Sequence, residues 1–128
     1  MSIFALKEIK AVKGRQTFYK LVKGNKCQFD MFEEKMLKTS FAGEVGKIYA
    51  YMERIANGES MPAKKFKDIT PKKSPVKEYE IKTKNLRVYL TKTEEGKIVI
   101  IGGKKKTQKS DLAKFRLLKE QYVQSITQ

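Results

Sequence analysis

The sequence predicts an α+β domain in which an antiparallel or mixed, twisted β-sheet packs against an N-terminal helix hairpin and carries one more helix at the C-terminus. Three stretches carry that expectation. Residues 78–91 alternate apolar and polar side chains with the period of two of half-buried strands. Residues 45–56 repeat apolar side chains every three or four positions, and residues 112–126 do so again. At 128 residues the chain has the length of a single domain, enough to bury a core without disulfides or metals.

Taken in order, Ile3, Phe4 and Leu6 fit an edge strand and Lys13-Gly14-Arg15 punctuates after them. No element is assigned to residues 1–15, which read as an N-terminal extension. Thr17 to Lys23 is β-branched and aromatic and is closed by Gly24-Asn25, the composition of a strand and its turn. Asp30 and Glu33 have capping-box spacing, which predicts a helix opening at Asp30, carrying Phe32, Met36 and Leu37 and running to about Thr39. Ser40 to Gly43 breaks it. In the second helix Val45, Ile48, Tyr49, Met52, Ile55 and Ala56 form one stripe, and Asn57-Gly58 stops it. That stripe reads as core rather than as a cofactor box. Two helices joined by so few residues imply an antiparallel hairpin on one face of the sheet. Residues 59–76 hold all three prolines and five lysines and read as an exposed crossover.

The sheet is expected to be built by the next stretch. Tyr79 and Ile81 alternate with Glu78, Glu80 and Lys82, and Leu86, Val88 and Leu90 alternate with Arg87, Tyr89 and Thr91. With Lys84-Asn85 as the turn, a hairpin pairs Lys82 with Arg87 and Glu80 with Tyr89 on a polar face. Ile81 then pairs with Val88 and Tyr79 with Leu90 on a core face. Glu94-Glu95-Gly96 reverses the chain into Lys97-Ile-Val-Ile-Ile101, an apolar run that fits a central strand between two neighbours. It empties into a basic loop from Gly102 to Lys109. Ser110-Asp111 is placed to cap a final helix with Leu112, Phe115, Leu118, Tyr122 and Ile126 on its apolar side, and with Lys114, Arg116 and Lys119 elsewhere on its surface.

Charge narrows the function. Lys and Arg total 29 against 14 Asp and Glu, a net +15, which points to a polyanionic partner. Nucleic acid fits best, because lysines that neutralise phosphates release condensed counterions and bind without regard to sequence. A solubilising surface, or a basic face that meets an acidic protein, is the plainer alternative. With no histidine and a single cysteine, Cys27, zinc sites and histidine-based catalysis have no support, and Cys27 reads as a small structural residue. No apolar run approaches the roughly 20 residues of a membrane span, and the first residues lack the order of a signal peptide, so a cytoplasmic protein is expected.

Strand, helix hairpin, proline-containing loop, three-stranded meander, basic loop and final helix is an order that resembles the RelE/HigB superfamily of toxins from type II toxin–antitoxin modules. Tyr79-Glu80-Ile81 before a turn, Leu86-Arg87-Val88-Tyr89 on the next strand, Gly96-Lys-Ile-Val-Ile-Ile101, and Lys105-Lys106-Thr107-Gln108-Lys109 before a helix are similar to its HigB-like, phage-derived branch. The resemblance covers residues 16–124. It implies a RelE-like fold and a ribosome-dependent messenger-RNA endonuclease, or mRNA interferase, that uses no metal and no small-molecule cofactor. The implied partners are messenger RNA on the ribosome, with contacts to ribosomal RNA, and a cognate antitoxin of helix-turn-helix type; no membrane is involved.

The chemistry so implied is attack of a ribose 2′-OH on the adjacent phosphate. It needs a base for the 2′ proton, a cation for the charge that builds on phosphorus, and an acid for the leaving 5′ oxygen. Arg87 matches the strand arginine of the family and is the expected charge stabiliser, since a guanidinium holds two phosphate oxygens at once. Lys105 and Lys106 match the basic positions after the last strand and would hold phosphate or donate a proton. Glu80 is the nearest carboxylate to act as base, its plainer role being a cross-strand partner for lysine. Lys64, Lys65, Lys82, Lys104 and Lys109 are the expected backbone contacts, and Tyr89 a platform for a base. The chain departs from the pattern in lacking histidine, in carrying lysines rather than arginine in the basic loop, and in placing Glu78 and Glu80 where some members have basic residues. A non-catalytic RNA- or DNA-binding module of the same fold, or a basic phage-derived accessory protein, is the alternative.

Overall fold

A computed structural model describes residues 3–127, and its sheet grows outward from the hairpin that the alternation at residues 78–91 dictates. That hairpin is β4 (Lys77–Lys82) and β5 (Leu86–Thr93). Its register is the expected one, with Lys82 opposite Arg87, Ile81 opposite Val88, Glu80 opposite Tyr89 and Tyr79 opposite Leu90. β6 (Gly96–Lys104) pairs antiparallel with β5 on one side and parallel with β2 (Phe18–Lys23) on the other, which gives the apolar run its central place. β1 (Phe4–Glu8) and β3 (Phe66–Asp68) complete a six-stranded mixed sheet in the order β1-β2-β6-β5-β4-β3. The helices are α1 (Gln28–Leu37), α2 (Ala42–Ala56) and α3 (Gln108–Ile126), the last entered through a 3₁₀ turn at Lys105–Thr107. None of them is long and apolar enough to cross a membrane.

The sheet is covered on both sides. On one face the α1–α2 hairpin packs Phe29, Phe32, Met36, Val45, Ile48, Met52 and Ile55 against Phe18, Ile81, Leu86, Val88, Leu90 and Val99. On the other α3 lays Phe115 and Tyr122 against Leu21, Tyr89, Ile98, Ile100 and Ile101. The register passes from Tyr89 opposite Ile101 to Leu90 opposite Val99, so Ile100 is the extra residue of a bulge, and it joins Ile101 in the α3 core.

The polar face of the hairpin is therefore not open to solvent as expected. Glu78, Glu80, Arg87 and Thr91 are all buried, and so is Lys119, which the sequence puts on the surface of the last helix away from its apolar side. Pairing makes this tolerable: the fully buried Glu78 carboxylate accepts from Lys119 at 2.5 Å and from Arg116 at 3.0 Å.

Residues 4–8, which fit an edge strand in sequence but were assigned no element, form one, because they pair antiparallel with the strand at Phe18–Lys23. Three other expectations are corrected. The crossover contains a short strand of its own, with Phe66 opposite Ile81. α1 opens two residues before Asp30, with Cys27 at its N-cap and no side-chain cap. The two capping-box residues are used for tertiary contacts instead: Asp30 pairs with Lys20 at 2.6 Å and Glu33 accepts from the Tyr49 hydroxyl. Finally, residues 102–107 are not a loop. β6 runs on to Lys104, and α3 begins at Gln108 rather than after Ser110, with the Thr107 hydroxyl donating to Asp111 at 2.6 Å. Gly102 and Gly103 permit this, since a Cβ at Gly102 would lie 2.5 Å from the Phe32 ring on one face and one at Gly103 would lie 1.9 Å from Asp111 on the other.

Candidate catalytic and nucleic-acid site

Lys82, Glu80, Arg87 and Tyr89 share a face by strand alternation, and α3 begins over the end of the sheet where they stand. The 3₁₀ turn is tied down there, because the Lys105 amide donates to Asn85 O at 2.8 Å in the β4–β5 turn. The result is a polar cluster under the first residues of α3.

Arg87 is its centre and is 8% exposed. Its Nη1 donates to Thr83 O at 2.7 Å and to Leu86 O at 2.8 Å, which uses both hydrogens of that nitrogen. Its Nε is buried with no hydrogen-bond partner among the described residues. Nε belongs to the edge, shared with Nη2, that can grip two oxygens of a phosphate or carboxylate, while Nη1 is committed to backbone carbonyls.

Glu80, 4% exposed, accepts from Gln108 Nε2 at 2.8 Å on one oxygen and has Lys82 Nζ at 3.8 Å from the other. Tyr89 is fully buried with its ring stacked on Phe115 at 5.6 Å, so it offers no platform to a base as had been expected. Its hydroxyl makes no hydrogen bond of good geometry among the described residues, but it stands close enough to the Glu80 carboxylate to interact with it. Burial, and then the negative charge of Glu80, hold the phenol well above its ordinary pKa, so it stays a neutral donor.

The other basic residues divide between two faces. Lys105, Lys106 and Lys109 are exposed on the 3₁₀ turn and the first turn of α3, next to the cluster. Lys104 lies on the opposite face, its ammonium 5.5 Å from the Phe41 ring centre. Lys65 likewise lies over Tyr51 of α2 at 5.4 Å, and Lys64 is exposed on the turn before β3. Lys82 stands opposite Arg87 across the hairpin, and the exposed Lys105, Lys106 and Lys109 follow on the segment that the Lys105 amide ties to the β4–β5 turn.

Sequence reasoning missed the groups that hold the cluster in place. Gln108 closes over Glu80, and Glu44 of α2 accepts from Thr83 Oγ1, from the Asn85 amide at 2.8 Å and from Asn85 Nδ2 at 2.8 Å. Glu44 reads in sequence only as an acid in the first turn of a helix. Burial by itself would raise its pKa, but the hydrogen bonds from Thr83 and Asn85 prevail and hold it below the ordinary carboxylate range.

No set of three or more His, Cys, Asp or Glu side chains among the described residues is arranged to hold a metal ion. Cys27 is buried, and that burial raises its thiol pKa, which keeps it a weak nucleophile. Chemically, the cluster offers a half-used guanidinium to an anion, a carboxylate beside it and exposed ammonium groups at its rim. The chain matches no protein-family model, no curated protein and no solved structure in the comparisons made.

Proposed function

We propose that the chain is a HigB-type toxin with a RelE-like fold, an endoribonuclease that cuts messenger RNA in the ribosome of the cell that makes it and is silenced by a cognate helix-turn-helix antitoxin. The observation that carries this reading is Arg87, anchored through Nη1 and left with a buried Nε that has no hydrogen-bond partner among the described residues, in a protein of net charge +15. An α+β domain with a mixed six-stranded sheet, a helix hairpin and a C-terminal helix supports this reading at the level of fold class.

In the proposed reaction two non-bridging oxygens of the scissile phosphate sit on Nε and Nη2 of Arg87. The ribose 2′ oxygen attacks phosphorus while its proton passes to the Glu80 carboxylate. The 5′ oxygen leaves with a proton from the ammonium of Lys105 or Lys106, which yields a 2′,3′-cyclic phosphate and a free 5′-OH. Because Gln108 holds Glu80 and Arg87 is nearly covered, substrate must displace Gln108 on entry. Lys82 and Lys109 then flank the RNA backbone.

Arg87→Ala removes a donor that acts most strongly on the charge-rich transition state, so cleavage should fall about 10²-fold or more. Arg87→Lys should restore only part, since an ammonium lacks the two-pronged edge. Growth on induction and primer extension on messages report this; equal growth of wild type and Arg87→Ala with no ribosome-dependent cuts would remove the nuclease assignment.

The burial of Arg87 and Glu80 favours a second reading, a non-catalytic RNA-binding module of the same fold. In that case RNA or ribosome binding persists and depends on Arg87, but no cyclic phosphate forms.

A further inference from the structure

The β4–β5 turn, residues 83–85, is the joint of the site. Thr83 O accepts from Arg87 Nη1 at 2.7 Å, and Asn85 O accepts from the Lys105 amide at 2.8 Å. One turn thus sets both the guanidinium and the start of the basic 3₁₀ turn. The turn itself is held from outside the sheet by a single side chain. Glu44 takes Thr83 Oγ1 and the Asn85 amide on Oε1 and Asn85 Nδ2 on Oε2, across about forty residues of sequence. Thr83 Oγ1 in turn accepts from the Leu86 amide at 3.2 Å, at the first residue of β5.

We propose that Glu44 is a positioning residue for Arg87 and Lys105, acting through the β4–β5 turn. This rests on the reading of the Arg87 cluster as an RNA site. Glu44 touches no substrate. Its carboxylate orients the turn that carries Thr83 O, one of the two carbonyls that fix Nη1, and so it sets the direction in which the Nε side of the guanidinium meets a phosphate. A carboxylate that accepts three hydrogen bonds has no equal substitute in alanine, whereas glutamine retains the two bonds on its oxygen and can recover the third if the Asn85 amide turns over.

The test is a double-mutant cycle over Glu44→Ala, Arg87→Ala and the pair, with Glu44→Gln as the conservative variant, read on ribosome-dependent cleavage and on binding of a single-stranded RNA oligonucleotide. Glu44→Ala is expected to lower the Arg87-dependent effect about tenfold and to have almost no further effect once Arg87 is alanine, since the two act as one unit. Glu44→Gln should recover most of it. A role in stability alone would give independent losses that multiply.

A readout free of any function accompanies these. In Glu44→Ala, hydrogen exchange at the Lys105 amide should quicken at least tenfold while the amides of Ile98 and Val99 in β6 stay protected. An unchanged Lys105 amide, or multiplicative losses in the cycle, would overturn the positioning role. An exchange change in a protein that neither cuts nor binds RNA would sustain the positioning role and sink the RNA reading instead.

Discussion

Tyr89 puts a hydroxyl in a fully buried place with only a poorly formed contact to Glu80, and Arg87 leaves Nε without a hydrogen bond two residues away on the same face. Buried groups left without a well-formed hydrogen bond each cost on the order of 1–3 kcal/mol. The two differ in what their removal should do. Tyr89→Phe keeps the ring on Phe115 and deletes only the poorly bonded hydroxyl, so stability to urea should rise by about 1 kcal/mol, with RNA affinity unchanged. A loss of stability on that substitution would show that the hydroxyl is well bonded to Glu80 after all. Arg87, by contrast, has half its guanidinium committed to backbone carbonyls, and its substitution should be felt in cleavage.

Among the elements, α3 is the one whose docking shapes the site, and its anchor is an ion cluster as much as its apolar stripe. Glu78 is wholly buried and meets Lys119, whose side chain is 10% exposed, and Arg116, whose side chain is 40% exposed. Removing the acid strands the lysine charge, whereas the arginine can regain water. Glu78→Ala should therefore cost about 3 kcal/mol, visible as a lower urea midpoint, toward the lower end for breaking a buried pair. Glu34 on α1 and Lys38 just past its end, with side chains each 76% exposed, form a pair whose removal should stay within about 0.5 kcal/mol. Similar changes in the two variants would mean that α3 is held by Phe115 and Tyr122 alone.

Over the whole molecule, the net charge of +15 predicts binding that weakens steeply with salt. Lys105 and Lys106 are exposed on the 3₁₀ turn that is bonded to the β4–β5 turn before Arg87, whereas Lys104 and Lys65 stack on rings on the other face. Neutralising Lys105 and Lys106 should thus flatten the slope of log affinity against log salt by up to about two units. Neutralising Lys65 and Lys104 should change it little. The reverse result would place the RNA on the helix-hairpin face.

What the sequence determined by itself is what depends on neighbours along the chain. The α+β class, the stripe of α2 from Val45 to Ala56, and the register that sets Arg87 opposite Lys82 all follow from periodicity and one short turn. The place of Arg87 on the polar face was legible for the same reason. Its burial was not, because alternation says which side chains share a face and nothing about what covers that face. Only the tertiary structure brought α3 over Glu78 and Glu80, with Arg116 and Lys119 neutralising the first and Gln108 closing on the second. Asp30 and Glu33 carried a local capping signal that lost to partners on β2 and α2, since a buried or half-buried tertiary contact outweighs an exposed cap. Lys104 and Lys105 are adjacent in a basic run, yet the first packs on Phe41 and the second is exposed on the 3₁₀ turn, because the strand continues through the first and ends before the second.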